Sequence, residues 1–306
     1  MTTLAPMQDA YNFSIHLGPH SPLSLPLQRV LTKNAPMLHS IEAEYPAPKM
    51  HREVLSQLLR LPYKTLAEEA VQEDYRASVL EHENTRTVLF NFDAFLGSRK
   101  NSIVKGEAYP SLEKKVGPIR HLTLHHNVSL FVCLQSFATF VEEELKDIPD
   151  KQQKLAASPG CLNFSWVPFI ERLREAWPEA LIVILNADDL PVHWAANVAL
   201  FSGHPKPFEF KGIENYMLSR LSEDGRKHLS QTLRQQPALS ISQWTEMVSE
   251  FFEKYGKHEP LLKKLVAGLW TPEQHEYSLE ALQEDFYEME KIENLTMAKN
   301  LIKVLK

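Results

Sequence analysis

Long apolar runs, cysteines and metal-ligand spacings are what this 306-residue sequence has least of. No stretch approaches the ~20 consecutive apolar residues of a membrane-spanning helix, so no span is expected. Met1 to Asn12 lacks a basic segment followed by an apolar run, so the sequence shows no secretory signal. The two cysteines, Cys133 and Cys161, stand in apolar or loop contexts. That argues against a disulfide framework and for a reducing, cytoplasmic compartment. Repeats and low-complexity stretches are missing as well. His121, His125 and His126 come nearest to a metal cluster, yet no His-Glu-x-x-His pattern or matching Cys/His spacing accompanies them. Adjacent histidines on a strand would face opposite sides, so no metal is expected. Asp188-Asp189 reads as a helix cap rather than a magnesium site. A net charge of -6 disfavours a broad nucleic-acid surface while leaving room for a local basic patch.

What is present is ordinary globular composition, 43% hydrophobic and 24% charged, with length for one large domain. Phe13-Ser-Ile-His-Leu17 alternates and ends at Gly18-Pro19, the pattern of a strand closed by a turn. Thr87 to Asn91, Leu130 to Leu134 and Leu181 to Leu185 are short apolar runs separated by helical spacings, as buried parallel strands require. Helices are predicted over Leu27 to Leu38, His51 to Leu61, Thr65 to Val79 and Trp166 to Trp177. From Phe208 onward helices dominate. One carries Trp244, Met247, Val248, Phe251, Phe252 and Tyr255 and stops at Gly256. Another opens on the capping box Thr271-Pro-Glu-Gln274 and aligns Leu279, Leu282, Phe286 and Met289. Ala298 to Lys306 reads as a frayed helix end. The expected architecture is α/β: a mostly parallel central sheet flanked by helices, with residues 1–207 as the core and 208–306 as a helical portion packed on it within one domain.

A strand that turns into a helix makes an anion site, because the first helical N–H groups are unpaired and the dipole favours negative charge. Here the segment runs His16-Leu17-Gly18-Pro19-His20-Ser21-Pro22-Leu23-Ser24-Leu25-Pro26-Leu27-Gln28. It resembles the bacterial sulfotransferase-like family, where the strand is followed by Gly-Pro-His-Lys-Thr-Gly-Thr-Thr and then Leu-Gln. The resemblance continues through Leu31, Asn34, Leu38 and Tyr45-Pro46, the strand from Val88 to Asp93 with Gly97, Tyr109-Pro110, and Leu130 to Val141. Further blocks are Asn163 to Trp166, Asn186 to Gly203, Leu221 to Gly225 and Trp270 to Pro272. It implies the three-layer fold of P-loop proteins and a donor, 3′-phosphoadenylyl sulfate, held at Gly18, His20, Ser21, Ser24 and Gln135.

The departures fall on the chemistry. The family's loop lysine is Ser21 here, and Thr-Gly-Thr-Thr becomes Pro22-Leu23-Ser24-Leu25. Proline removes an N–H donor, and only Ser24 keeps a hydroxyl. The phosphate-binding arginine falls on Gln135, and the serine after it on Glu143, an acid that would repel phosphate. Each lost charge-assisted contact costs ~1.5 to 3 kcal/mol. The resemblance therefore implies no cofactor, and a pseudoenzyme or binding scaffold for a protein or small molecule. The alternative is a divergent sulfotransferase, or another group transferase, with a rebuilt anion site. In that case Asp93 is the candidate base, set against a plain capping role. Arg99, Lys100 and Lys105 would be the cations that replace the lost ones, set against a solvated loop. His16 and His20 flank the loop as donors or as packing. The acidic run Glu142 to Glu144 reads as a solvated helix face. Leu23 and Leu25 are expected to turn inward, and the space beside Gln135 and Glu143 to be neutral or negative.

Overall fold

The computed structural model describes residues 10–46, 73, 77–235, 239–256 and 269–303. In chain order the elements are β1 (Asn12–Gly18), α1 (Ser24–Lys33), α2 (Ala35–Ser40), β2 (Ala43–Glu44), β3 (Thr87–Asn91), β4 (Ile103–Val104), β5 (Glu107–Ala108), α3 (Leu112–Leu122), β6 (Asn127–Leu134) and α4 (Phe137–Thr139), which runs on into a π turn over Phe140–Glu144. Then come α5 (Pro149–Ala156), α6 (Val167–Ala176), β7 (Leu181–Asn186), α7 (Leu190–Ser202), α8 (Glu214–Ser219), α9 (Glu223–Gln235), α10 (Ile241–Tyr255), α11 (Pro272–Met289), β8 (Leu295–Met297) and α12 (Ala298–Ile302). The helix predicted over His51 to Leu61 lies outside the described residues. So does most of the one over Thr65 to Val79, of which 77–79 are helical.

Six strands form one sheet in the order β2-β3-β1-β6-β7-β8, and every neighbouring pair is parallel. The α/β architecture expected from the apolar runs is thus the one observed. A parallel sheet must be covered on both faces, and the side chains alternate accordingly. Ile15, Leu17, Phe90, Leu130, Val132, Ile182 and Ile184 enter one core, which α3, α6 and α11 cover. Leu89, Phe131, Cys133, Val183 and Leu185 enter the other, under α1, α7 and α10. The two short strands β4 and β5 pair antiparallel apart from this sheet.

The C-terminal portion is more deeply built in than expected. It sends α11 to one face and α10 to the other, and it supplies the edge strand β8, whose three residues carried no apolar run. The capping box at α11 is present: Thr271 Oγ1 accepts the Gln274 N–H at 3.3 Å, and Gln274 Oε1 accepts the Thr271 N–H at 2.7 Å. Its buried stripe, however, is Ser278, Leu282, Phe286 and Met289, while Leu279 faces outward at 39% exposure. The single helix expected over Leu27 to Leu38 is two. Asn34, buried between them, donates from Nδ2 to the Val30 and Lys211 carbonyls and accepts the Lys211 N–H at 2.8 Å. This amide fixes α1 against the segment leading to α8. Among the described residues no helix is long and apolar enough to cross a membrane, and Cys133 and Cys161 are both free.

Candidate functional site

The chain leaves β1 for β2 and β3 on one side, then returns to place β6 on the other. The carboxyl ends of β1, β3 and β6 therefore bound a crevice at a topological switch point, where open α/β sheets hold ligands. The loop after β1 lies in it. Gly18 has φ 105°, and a Cβ there would stand 2.9 Å from the Asp93 carbonyl, so only glycine lets the two strand ends approach. A cis bond joins Gly18 to Pro19.

On the β3 flank the polar groups are tied to protein. His16 Nδ1 lies 2.8 Å from Asn91 Oδ1, which fixes the proton on Nδ1 and leaves Nε2 bare. The Ser24 hydroxyl donates to the same Oδ1 at 3.3 Å, and Asn91 Nδ2 donates to the Ser24 carbonyl at 2.7 Å. Tyr109 Oη accepts the His20 backbone N–H at 3.0 Å and pairs with His20 Nδ1 at 2.7 Å. Burial pushes His20 down to about 4 and lowers His16 as well, while it raises the Tyr109 phenol. All three are neutral near pH 7. Asp93, two residues past β3 and partly exposed, is near enough to favour protonation of both imidazoles, but desolvation outweighs it.

On the β6 flank the buried groups are not tied in this way. Gln135 is 1% exposed, and neither end of its side-chain amide has a partner. Its carbonyl accepts the Trp166 indole N–H at 2.9 Å, so the backbone is fixed while the side chain is not. Ser21 Oγ, also buried, has only a weak contact to the Cys133 thiol, which burial pushes up to about 12. That thiol is no nucleophile near neutrality. Leu23 turns inward as expected, at 2% exposure, whereas Leu25 does not, at 54%. Leu23 packs under the first turn of α1, and Leu25 falls on its outer face.

The acidic run is not the solvated helix face expected. It lies in the π turn, where Glu144, four residues after Phe140 and three after Val141, shares their buried side. That carboxylate is buried and meets Arg99 Nη2 at 3.3 Å, and Arg99 also reaches Asp147 at 3.8 Å. Glu142 faces His275 at 3.2 Å. Burial raises the Glu144 carboxyl, with the Arg99 charge opposing. Lys100 and Lys105 are exposed, and the Lys100 carbonyl accepts a bond from Lys151 Nζ. Asp189 stands at the α7 N-cap position without a capping side-chain bond. His126 packs its ring against Tyr11 and Phe13. Among the described residues no group of three or more His, Cys, Asp or Glu could hold a metal ion.

Next to the loop lies a cleft of about 540 Å³ between α1 and the segment from Lys211 to Arg220. Arg29, Lys33, Lys211 and Arg220 line it, together with the Arg99–Glu144 pair and Ser21. This cleft is therefore lined mainly by cations, and Gln135 and Glu143, beside which a neutral or negative space is expected, are not among its lining residues. The four cations come from two distant stretches, and only the i, i+4 spacing of Arg29 and Lys33 was visible locally. Tyr109 and Asn91, which hold the loop, were legible as members of matching blocks but not as its anchors. Comparison of the chain with family models, with curated proteins and with solved structures finds no match.

Proposed function

We propose that this is a sulfotransferase-like protein whose donor loop does not take 3′-phosphoadenylyl sulfate, and which works in the cytoplasm as a binding scaffold. The observation that carries this reading is the closure of the loop by its own neighbours. A phosphate cradle needs consecutive N–H groups pointing into empty space. Pro19, Pro22 and Pro26 have no N–H, and the His20 N–H is committed to Tyr109 Oη. The Ser24 hydroxyl, the one loop oxygen kept from the family pattern, is committed to Asn91. His16 is buried, and His20 is neutral and bonded, so neither stands ready as an acid or base. The cytoplasmic placement is supported by the free cysteines.

One observation favours the second reading, a group transferase with a rebuilt anion site. Ser21 Oγ and the Gln135 amide are buried without adequate partners, and cations line the adjoining cleft. The two readings part in one experiment. Adenosine 3′,5′-bisphosphate is titrated into the protein while the melting temperature is followed, and transfer of labelled sulfate from the donor to phenolic and sugar acceptors is assayed. The scaffold reading expects no shift and no transfer. A ligand at 100 times its Kd would stabilise by about 2.7 kcal/mol, so saturable binding would be plain and would overturn it.

A further inference from the structure

The four cations of the cleft are exposed, and among the described residues none is ion-paired to a carboxylate. Some surface cations elsewhere are paired, Arg172 with Glu107 and Glu113, Arg120 with Glu179 and Lys227 with Glu223, and others such as Lys105, Lys114 and Lys154 stand singly among the described residues; the cleft differs in gathering four around one space. In a chain of net charge -6, four unpaired cations on two facing banks form a local reversal of sign. The banks are held in place. Asn34 joins the end of α1 to the Lys211 backbone by two hydrogen bonds. Gly212, at φ 80°, leaves room for the Lys33 ammonium, which a Cβ there would meet at 3.1 Å. The Arg220 guanidinium lies over the Tyr216 ring, 5.3 Å from its centre. At the α1 edge of the cleft Leu25 is 54% exposed, a large apolar side chain beside the positive charge.

We propose that this cleft docks an acidic segment of a partner protein, with an apolar residue of that segment seated on Leu25. Small anions are recognised by converging, preorganised donors. Here the cations are solvent-exposed and stand on opposite banks, which suits an extended chain carrying several carboxylates. Nucleic acid would call for a broad basic surface, and the chain's net charge opposes one. The inference rests on the scaffold reading, since it names the partner the scaffold would hold.

The probe is a fluorescein-labelled peptide repeating Asp-Glu-Glu-Leu three times, titrated with the full chain and followed by anisotropy. The control peptide is its Asn-Gln-Gln-Leu counterpart. Saturable binding of the acidic peptide alone is expected, weakening about tenfold between about 50 and 200 mM salt. Arg29→Glu with Lys33→Glu, and separately Arg220→Glu, should each weaken it about tenfold or more, and Leu25→Ser about threefold. All four positions are exposed, so these variants should keep the wild-type melting temperature, and Arg29→Gln with Lys33→Gln repeats the test without charge reversal. The proposal is overturned by absence of binding, by binding that the variants leave unchanged, or by displacement with an equal concentration of oligothymidylate or of adenosine 3′,5′-bisphosphate. Failure of peptide binding with sulfate transfer still absent removes this inference alone. Transfer activity would remove the scaffold reading whatever the peptide does.

Discussion

On the β3 flank of the loop after β1, His16 and Ser24 share the Asn91 amide and His20 binds Tyr109 twice. On the β6 flank, Ser21 Oγ and the Gln135 amide are as deeply buried and lack such partners. A buried polar group left unpaired costs about 1 to 3 kcal/mol, so the first flank is a stabilising network with one open atom, His16 Nε2, and the second a deficit. The difference teaches where the loop's rigidity comes from. It is held from one side, by Asn91 and Tyr109, while the buried groups of the opposite side lack protein partners.

The largest expected effect follows from the neutral imidazoles. His20 is lowered from 6.5 to about 4 by burial. Its contribution is whole above the unfolded value of about 6.5 and is lost as pH falls toward 4, because the unfolded chain then binds the extra proton. That window corresponds to about 3 kcal/mol. The raised carboxyls of Glu144 and Asp285 work in the opposite direction and offset part of it. Urea unfolding at pH 7 and pH 4.5 should show the loss, and His20→Asn should make it smaller. An unchanged pH slope in that variant would deny the network its role.

Asn91→Ala strips His16 Nδ1 and the Ser24 hydroxyl of their acceptor and should cost about 2 to 3 kcal/mol in the same assay. Tyr109→Phe leaves the His20 N–H and Nδ1 unpaired and should cost about 1.5 kcal/mol. The smallest change is expected on the other flank. Gln135→Met removes an amide that bonds to nothing in the protein and should be neutral or stabilising by up to about 1 kcal/mol. A loss of 2 kcal/mol or more would mean that the amide is already satisfied by bound water, and the contrast between the flanks would close.

Much of this frame was legible in the sequence. Buried parallel strands are continuous apolar runs, so β3, β6 and β7 stood out, β1 showed by its alternation before Gly18-Pro19, and the Thr271 capping box is a local pattern that survives any context. What was missed is what neighbours decide. Ala43–Glu44 and Leu295–Met297 are too short to show a period, and they are strands because β3 and β7 offer them an edge. The apolar stripe of α11 was drawn through Leu279 because Ser278 and Asp285 are polar. Yet both are buried, Ser278 accepting the Ala138 N–H and Asp285 the Trp166 N–H and the Ser165 hydroxyl. The run of three acids at Glu142 to Glu144 suggests a solvated face, yet Glu144 follows the buried Phe140 by four residues and Val141 by three and lies on their side of the chain. Of the cleft only the Arg29–Lys33 spacing was legible, since its two banks come from distant stretches joined by Asn34 and by the core they share.

The short strand β8 also sets an order of assembly. Ile182 pairs with Leu295 and Ile184 with Met297, residues that leave the ribosome more than a hundred positions later. Until then the outer edge of β7, made of Leu181-Ile-Val-Ile-Leu185, presents unpaired backbone groups and apolar side chains on both faces. A nascent chain would carry this edge open through the synthesis of α7 to α11, and loop-closure entropy delays its coverage further. The last strand thus acts as a seal, and during synthesis the chain is most exposed to sticking to its own copies just before the seal arrives.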